Sequence, residues 1–152
     1  MPGFSVFRWR DGRGWLVLAG GPQEETRAQV LARSGADGAV AVLALPDGQA
    51  EQILADLQDL GAPAGYLVDV VAESDEELRY RIGEAGVVVI SAAGDPDDVR
   101  SLLVGPALDG VEQAFQNGAI VLAEGAAAQA FGAWVLSEGT APEGFGWLEN
   151  LV

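Results

Sequence analysis

Short apolar segments of strand length alternate with helical segments along most of this chain of 152 residues. The segment Val87–Ile90 is a continuous β-branched run, which is typical of a strand buried on both faces of a sheet. Elsewhere, apolar residues recur at helical spacing, as at Leu108, Val111 and Phe115. This alternation predicts a three-layer α/β fold, in which helices cover both faces of a mainly parallel sheet. The length favours a single domain over residues 1–152.

Six segments are predicted to be strands, and a seventh is a candidate. The turn signal Asp11-Gly12 favours a hairpin between the first two strands, with the first at the edge of the sheet. Trp134–Leu136 is the candidate final strand, and the tail Gly139–Val152 is predicted to be irregular. The six strands are Phe4–Trp9, Trp15–Ala19, Ala39–Leu45, Tyr66–Val71, Val87–Ile90 and Ala119–Ala123.

The helices between these strands are predicted from their boundary signals. The first spans Gln23–Arg33, and the second has an apolar face over residues 50–60. Ser74 is a favourable N-cap for the third helix, and Asp95-Pro96 begins the fourth with a proline early in its first turn.

Three residue types that support most enzyme chemistry are missing from the chain. It contains no cysteine and no histidine, and its eight basic residues are all arginines. The composition therefore excludes disulfides, thiolate catalysis, imidazole metal ligands and Ser–His–Asp triads. The lack of lysine also excludes Schiff bases, Ser–Lys dyads and a phosphate-loop lysine. Carboxylates, hydroxyls, tyrosines and arginines remain, and no cofactor or metal is predicted.

The charge balance is strongly acidic, with 23 acidic residues and a net charge of −15. Such a surface repels phosphate backbones and anionic lipids, so we expect neither nucleic acid nor a membrane as a partner. No apolar run approaches the roughly 20 residues of a membrane helix. The first thirteen residues contain no apolar core of a signal peptide, so a cytoplasmic location is expected.

Three loops follow predicted strands at the edge of the sheet where open α/β folds bind ligands. They are Gly20-Gly21-Pro22, the segment Ser91–Asp95 and the segment Ala123–Ala127. The third runs from a strand directly into a helix through small residues, which is the shape of a nucleophile elbow. We call Ala123–Ala127 the elbow.

The chain resembles the cyanophycinase and dipeptidase E family of serine peptidases, within the class I glutamine amidotransferase-like, flavodoxin-like folds. The family's first strand and glycine turn resemble Leu18–Gly21, and its Gly-Gly-Asp/Asn-Gln loop resembles Ala93–Pro96. Its Gly-Xaa-Val-Ile strand resembles Gly118–Val121, and its Gly-Thr-Ser-Ala-Gly-Ala turn resembles Ala123–Ala128. A later Gly-Leu-Gly-Leu element resembles Gly144–Leu148.

The resemblance implies the fold of these peptidases without their catalytic residues. Gly125 stands where the family has its serine nucleophile, and a shift of one residue would place Ala126 there. Neither residue can attack a carbonyl, and the family's histidine has no counterpart. The elbow residues Glu124, Gly125 and Ala126 are therefore predicted to be a degenerate site with no catalytic residue.

The residues around the elbow define a vestigial pocket, for which several roles are open. Glu124 and Asp95 could share a proton, bind a hard cation or perform acid–base work. Alternatively, Asp95 caps a helix while Glu124 points to solvent. Ser91 is the best-placed hydroxyl but has no ordinary base, and Gly20-Gly21 is a tight turn or a weak anion site. The pocket residues are Gly20, Gly21, Ser91, Gly94, Asp95 and Glu124.

Three functions are compatible with these features. The first is a non-catalytic, homo-oligomeric structural or binding protein, with a dimer as the expected assembly. The second is a carboxylate- or metal-dependent hydrolase that uses Glu124 and Asp95. The third is a module that binds a small molecule in the vestigial pocket. Trp134, Phe145 and Trp147 are predicted to cover one end of the sheet or to form a subunit interface.

Overall fold

The computed structural model describes residues 4–9, 14–21, 24–34, 39–46, 49–62, 64–130 and 148–151. The strands are β1 Phe4–Trp9, β2 Trp15–Ala19, β3 Val40–Ala44, β4 Gly65–Asp69, β5 Val87–Ala92, β6 Ile120–Gly125 and β7 Leu148–Leu151. The helices are α1 Glu24–Ser34, α2 Ala50–Asp59, α3 Asp75–Gly83, α4 Pro96–Leu103 and α5 Pro106–Gln116. Residues 126–130 are also helical.

The described strands form one seven-stranded sheet in the order β4-β3-β5-β6-β2-β1-β7. The five strands from β4 to β2 are parallel, which confirms the predicted mainly parallel sheet. β1 pairs antiparallel with β2, so the predicted hairpin is confirmed as well. The predicted position of β1 at the edge of the sheet is wrong, because β7 pairs with the outer side of β1.

The tail of the chain contributes the strand that the sequence pattern missed. Leu148–Leu151 is β7, within the segment that was predicted to be irregular. Four residues are too few for a periodicity signal, and pairing with β1 defines the strand. The candidate strand Trp134–Leu136 lies outside the described residues, as do Phe145 and Trp147.

Each face of the sheet packs against its own set of helices, which confirms three layers. Val87 and Val89 point to the face covered by α1 and α2, where Val30 and Leu57 also pack. Their neighbours Val88 and Ile90 point to the face covered by α3, α4, α5 and residues 126–130. These four residues of β5 are at most 1% exposed, so the prediction that Val87–Ile90 is buried on both faces is confirmed. Among the described helices, none has the length and hydropathy needed to cross a membrane.

The outer edge of β4 is covered by an ion pair. The Arg81 guanidinium donates to the Leu67 carbonyl at 2.9 Å, and the Asp69 amide donates to a carboxylate oxygen of Glu73 at 2.8 Å. The same Glu73 oxygen accepts from Arg81 at 2.6 Å. An exposed strand edge offers unpaired backbone groups to another chain, and here two of these groups are already bonded.

Replacing Arg81 with alanine should lower the free energy of unfolding by about 1–3 kcal/mol, because Glu73 and the Leu67 carbonyl lose a charged donor. The variant should also self-associate more than wild type with rising concentration, as seen by light scattering. Arg79→Ala is the matched control, since Arg79 lies on the same helix in an exposed pair with Asp109. Equal behaviour of the two variants would contradict this role for Arg81.

Candidate functional site

β6 turns directly into a helix at Gly125, as the sequence predicts for the elbow. Gly125 has a φ of +66°, in the left-handed region that favours glycine. The next residue, Ala126, is buried and already helical, so the residue at the turn is Gly125. A sharp strand-to-helix turn of this kind is the geometry that exposes the nucleophile in serine hydrolases.

The space beside Gly125 is occupied by the neighbouring strand. Ala92 of β5 is the register partner of Gly125. A Cβ atom at position 125 would lie well inside van der Waals contact of the Ala92 carbonyl oxygen. Because that atom belongs to the backbone of a paired strand, it cannot move aside as the end of a flexible side chain would.

Glu124 of the elbow is completely buried and pairs with Arg27 of α1. The guanidinium donates from Nε to Oε2 at 2.9 Å and from Nη2 to Oε1 at 2.7 Å. Asp56 of α2 lies 3.6 Å from the Nη1 atom of Arg27. The hydrogen bond to Glu124 raises the pKa of Arg27 although burial opposes the rise. The interpretation that Glu124 points to solvent is therefore wrong.

Asp95 is exposed and caps α4. Its Oδ1 accepts from the Asp97 amide at 2.9 Å, which is the capping role named as its alternative. α4 packs on one face of the sheet, through Val99, whereas Glu124 points to the opposite face and meets α1. The structure does not bring Glu124 and Asp95 together as a functional pair, since both oxygens of Glu124 bond to Arg27 and Asp95 caps α4. Among the described residues, no group of three or more acidic side chains could hold a metal ion.

The predicted vestigial pocket is divided between two places. Ser91 is half-buried and is the register partner of Glu124, and Gly20 and Gly21 follow the end of β2 on the other side of β6. Gly94 and the Asp95 cap instead lie in a separate cleft. All of them were predicted to lie in one pocket because the sequence does not show the order of the strands.

The cleft that contains Gly94 and Asp95 lies between the loops that follow β3 and β5, and we call it the switch-point cleft. β3 continues into α2 on one face of the sheet and β5 into α4 on the other. Adjacent strands whose connections leave to opposite faces open a crevice, where α/β folds bind ligands. The cleft has a volume of about 450 Å³ and is lined by Leu45, Pro46, Ala92, Ala93, Gly94, Asp95, Asp98, Val99, Ser101 and Leu102.

Arg27 and the cleft residues Leu45 and Asp98 were not predicted from the sequence to be functional residues. Arg27 did carry a signal, because it shares a helical face with the buried Val30 and with Leu31. An arginine on an apolar face needs a buried acceptor. The cleft residues carried no such signal, since only the strand order brings them together.

Comparison with known proteins shows a similarity of structure rather than of sequence. No family model and no curated protein matches the chain. A crystal structure of a peptidase from an acI-B1 Actinobacterium superposes with a TM-score of 0.57 and 16% sequence identity. The superposition covers 90% of this chain but 59% of that peptidase, so this chain spans about three fifths of its length. The chain therefore has a peptidase-like, three-layer α/β fold.

Proposed function

We propose that this chain is a non-catalytic relative of the cyanophycinase-like serine peptidases and acts as a binding or structural protein. The observation that carries the proposal is the elbow itself. Gly125 occupies the turn, and the Ala92 carbonyl occupies the place into which a nucleophilic side chain would project. The fold is retained around a turn that offers no attacking atom.

Glu124, the carboxylate of the elbow, is also badly placed to activate water or a hydroxyl. A general base must lie within reach of the proton that it removes, and Glu124 is completely closed off from solvent. Both carboxylate oxygens of Glu124 accept hydrogen bonds from Arg27, and the pair is buried. The chain contains no histidine, lysine or cysteine that could replace it. Ser91 is then a hydroxyl without a base among the described residues.

The Arg27–Glu124 pair has a structural role that suits such a protein. It connects α1 to the last residues of β6, 97 positions apart in the chain. A bidentate guanidinium–carboxylate pair fixes both distance and orientation. The pair therefore holds the elbow against α1, and we assign it to positioning of the fold rather than to catalysis.

We also propose that two copies of the chain associate. The support is the aromatic content of the tail, because aromatic residues are enriched at the centres of interfaces. The covered edge of β4 favours an interface elsewhere on the molecule. Sedimentation equilibrium should give twice the monomer mass of 15.7 kDa, and a monomer at high concentration would contradict the dimer.

Hydrolysis assays test the absence of catalysis. The purified chain should show no saturable turnover of aspartyl dipeptides, dipeptide amides or nitrophenyl esters. Ser91→Ala should behave as wild type, because the proposal gives Ser91, the register partner of Glu124, no role as a nucleophile. Saturable turnover in wild type that disappears in Ser91→Ala would overturn the proposal and identify a nucleophile.

A further inference from the structure

The geometry points to the switch-point cleft as a binding site for a small organic cation with an apolar body. The cleft is separate from the buried Arg27–Glu124 pair, and the inference holds whether or not the elbow is catalytic. It goes beyond the proposed function by naming both the place and the class of ligand. The inference rests on the position, the size, the apolar lining and the charge of the cleft.

The cleft has the position and the size of a ligand site. Its walls are the ends of two adjacent parallel strands, β3 and β5, whose chains continue on opposite faces of the sheet. Its volume of about 450 Å³ lies within the range of about 300–1,000 Å³ for small-molecule pockets. Gly94, with a φ of +99°, has open space where a side chain would be, so the β5–α4 loop leaves the cleft unobstructed there.

Most of the wall is apolar. Leu45 and Val99 belong to the buried core on this face, and Leu102 packs against it from α4. Ala92 and Ala93 add small apolar surface from the end of β5. A ligand that fills the cleft therefore gains by removing apolar surface from water, at roughly 25 cal/mol per Å².

The charged groups of the cleft are carboxylates. Asp95 and Asp98 are the charged side chains among the described lining residues, and no arginine is among them. Asp95 uses Oδ1 for the helix cap, which leaves its second oxygen available. Asp98 is exposed, and its carboxylate has no hydrogen bond or ion pair within the described part of the chain. Two unit negative charges outweigh the roughly half positive charge of the α4 N-terminus.

This combination selects among ligand classes. An ammonium or guanidinium group can bond to the two carboxylates while its apolar body contacts Leu45 and Leu102. A carboxylate or phosphate ligand would face two like charges. A zwitterionic amino acid would be weaker than the amine with the same side chain, because its carboxylate is repelled at the same place.

Three compounds with one shared ring system test this selection. They are tryptamine, indole-3-propionate and tryptophan, which carry a positive charge, a negative charge and both charges. Nuclear magnetic resonance titration of the wild-type chain should show saturable shifts of the amides of residues 92–95 with tryptamine. Tryptophan should bind more weakly, and indole-3-propionate should not bind. Equal shifts with all three compounds, or none with tryptamine, would overturn the inference.

Variants locate the binding. Asp98→Asn should weaken tryptamine binding about threefold to tenfold, since it removes one carboxylate from a rim that is partly screened by water. Asp59→Asn is the matched control, an exposed carboxylate at the end of α2, and should bind as wild type. Ala93→Trp should abolish binding by filling the cleft from an exposed loop position.

The titrations of these variants can contradict the inference in two ways. Equal weakening by Asp98→Asn and Asp59→Asn would show attraction to overall charge and would overturn the inference. Unchanged binding by a folded Ala93→Trp would do so as well. These titrations do not involve hydrolysis, so a peptidase activity would contradict the proposed function and leave the cleft site standing.

Discussion

Replacing Arg27 with methionine should lower the free energy of unfolding by about 3–5 kcal/mol. This is one of the two largest losses of stability that we expect. The substitution leaves Glu124 of the elbow completely buried without its two hydrogen-bond donors. A buried carboxylate without a partner either remains charged at a large cost in desolvation free energy or takes up a proton. Urea denaturation followed by circular dichroism measures the loss.

Two further variants show that the loss belongs to the buried pair. Arg79→Met removes one member of an exposed pair, whose side chains are 51% and 55% exposed, and should change stability by less than about 1 kcal/mol. The double variant Arg27→Met with Glu124→Leu should recover most of the stability, since no buried charge remains. Equal losses for Arg27→Met and Arg79→Met would contradict this account of the pair.

Gly125→Ser, which restores the serine of the resembling family, should lower the free energy of unfolding by about 2–5 kcal/mol. About 1–2 kcal/mol is expected from the left-handed backbone at φ +66°. A further 1–3 kcal/mol, roughly, is expected because the new side chain meets the Ala92 carbonyl. Thermal and urea unfolding measure the total.

Gly61→Ser separates the two contributions. Gly61 has a φ of +108°, and a Cβ atom there has no neighbour within 4 Å among the described residues. This control variant therefore has the cost of a side chain at positive φ without the steric one. If Gly125→Ser is no less stable than Gly61→Ser, the close approach of Ala92 does not obstruct a side chain at the elbow.

Much of the fold was predictable because its signals are local. The run Val87–Ile90 predicted a strand buried on both faces, and Ser74 predicted the start of α3. The structure shows a capping box there, in which Ser74 and Glu77 exchange hydrogen bonds. The strand-to-helix turn at Gly125 was likewise predictable from its small residues.

The arrangement of the site was less predictable because it depends on contacts distant in the sequence. Glu124 and Arg27 are 97 residues apart, and nothing local at Glu124 indicates a buried partner. The switch-point cleft depends on β3 and β5 being neighbours, although β4 lies between them in the chain. β7 was missed because a four-residue strand has too little pattern to be recognised.

Covalent labelling with a fluorophosphonate tests the account of the elbow most directly. This reagent reacts with activated serines, and peptide mapping by mass spectrometry locates the adduct. The wild-type chain should carry none at Ser91, and folded Gly125→Ser protein should carry none at position 125, while an active serine peptidase treated in parallel is labelled fully. An adduct at either position would show an accessible, activated nucleophile and would contradict the proposal that the elbow is closed and non-catalytic.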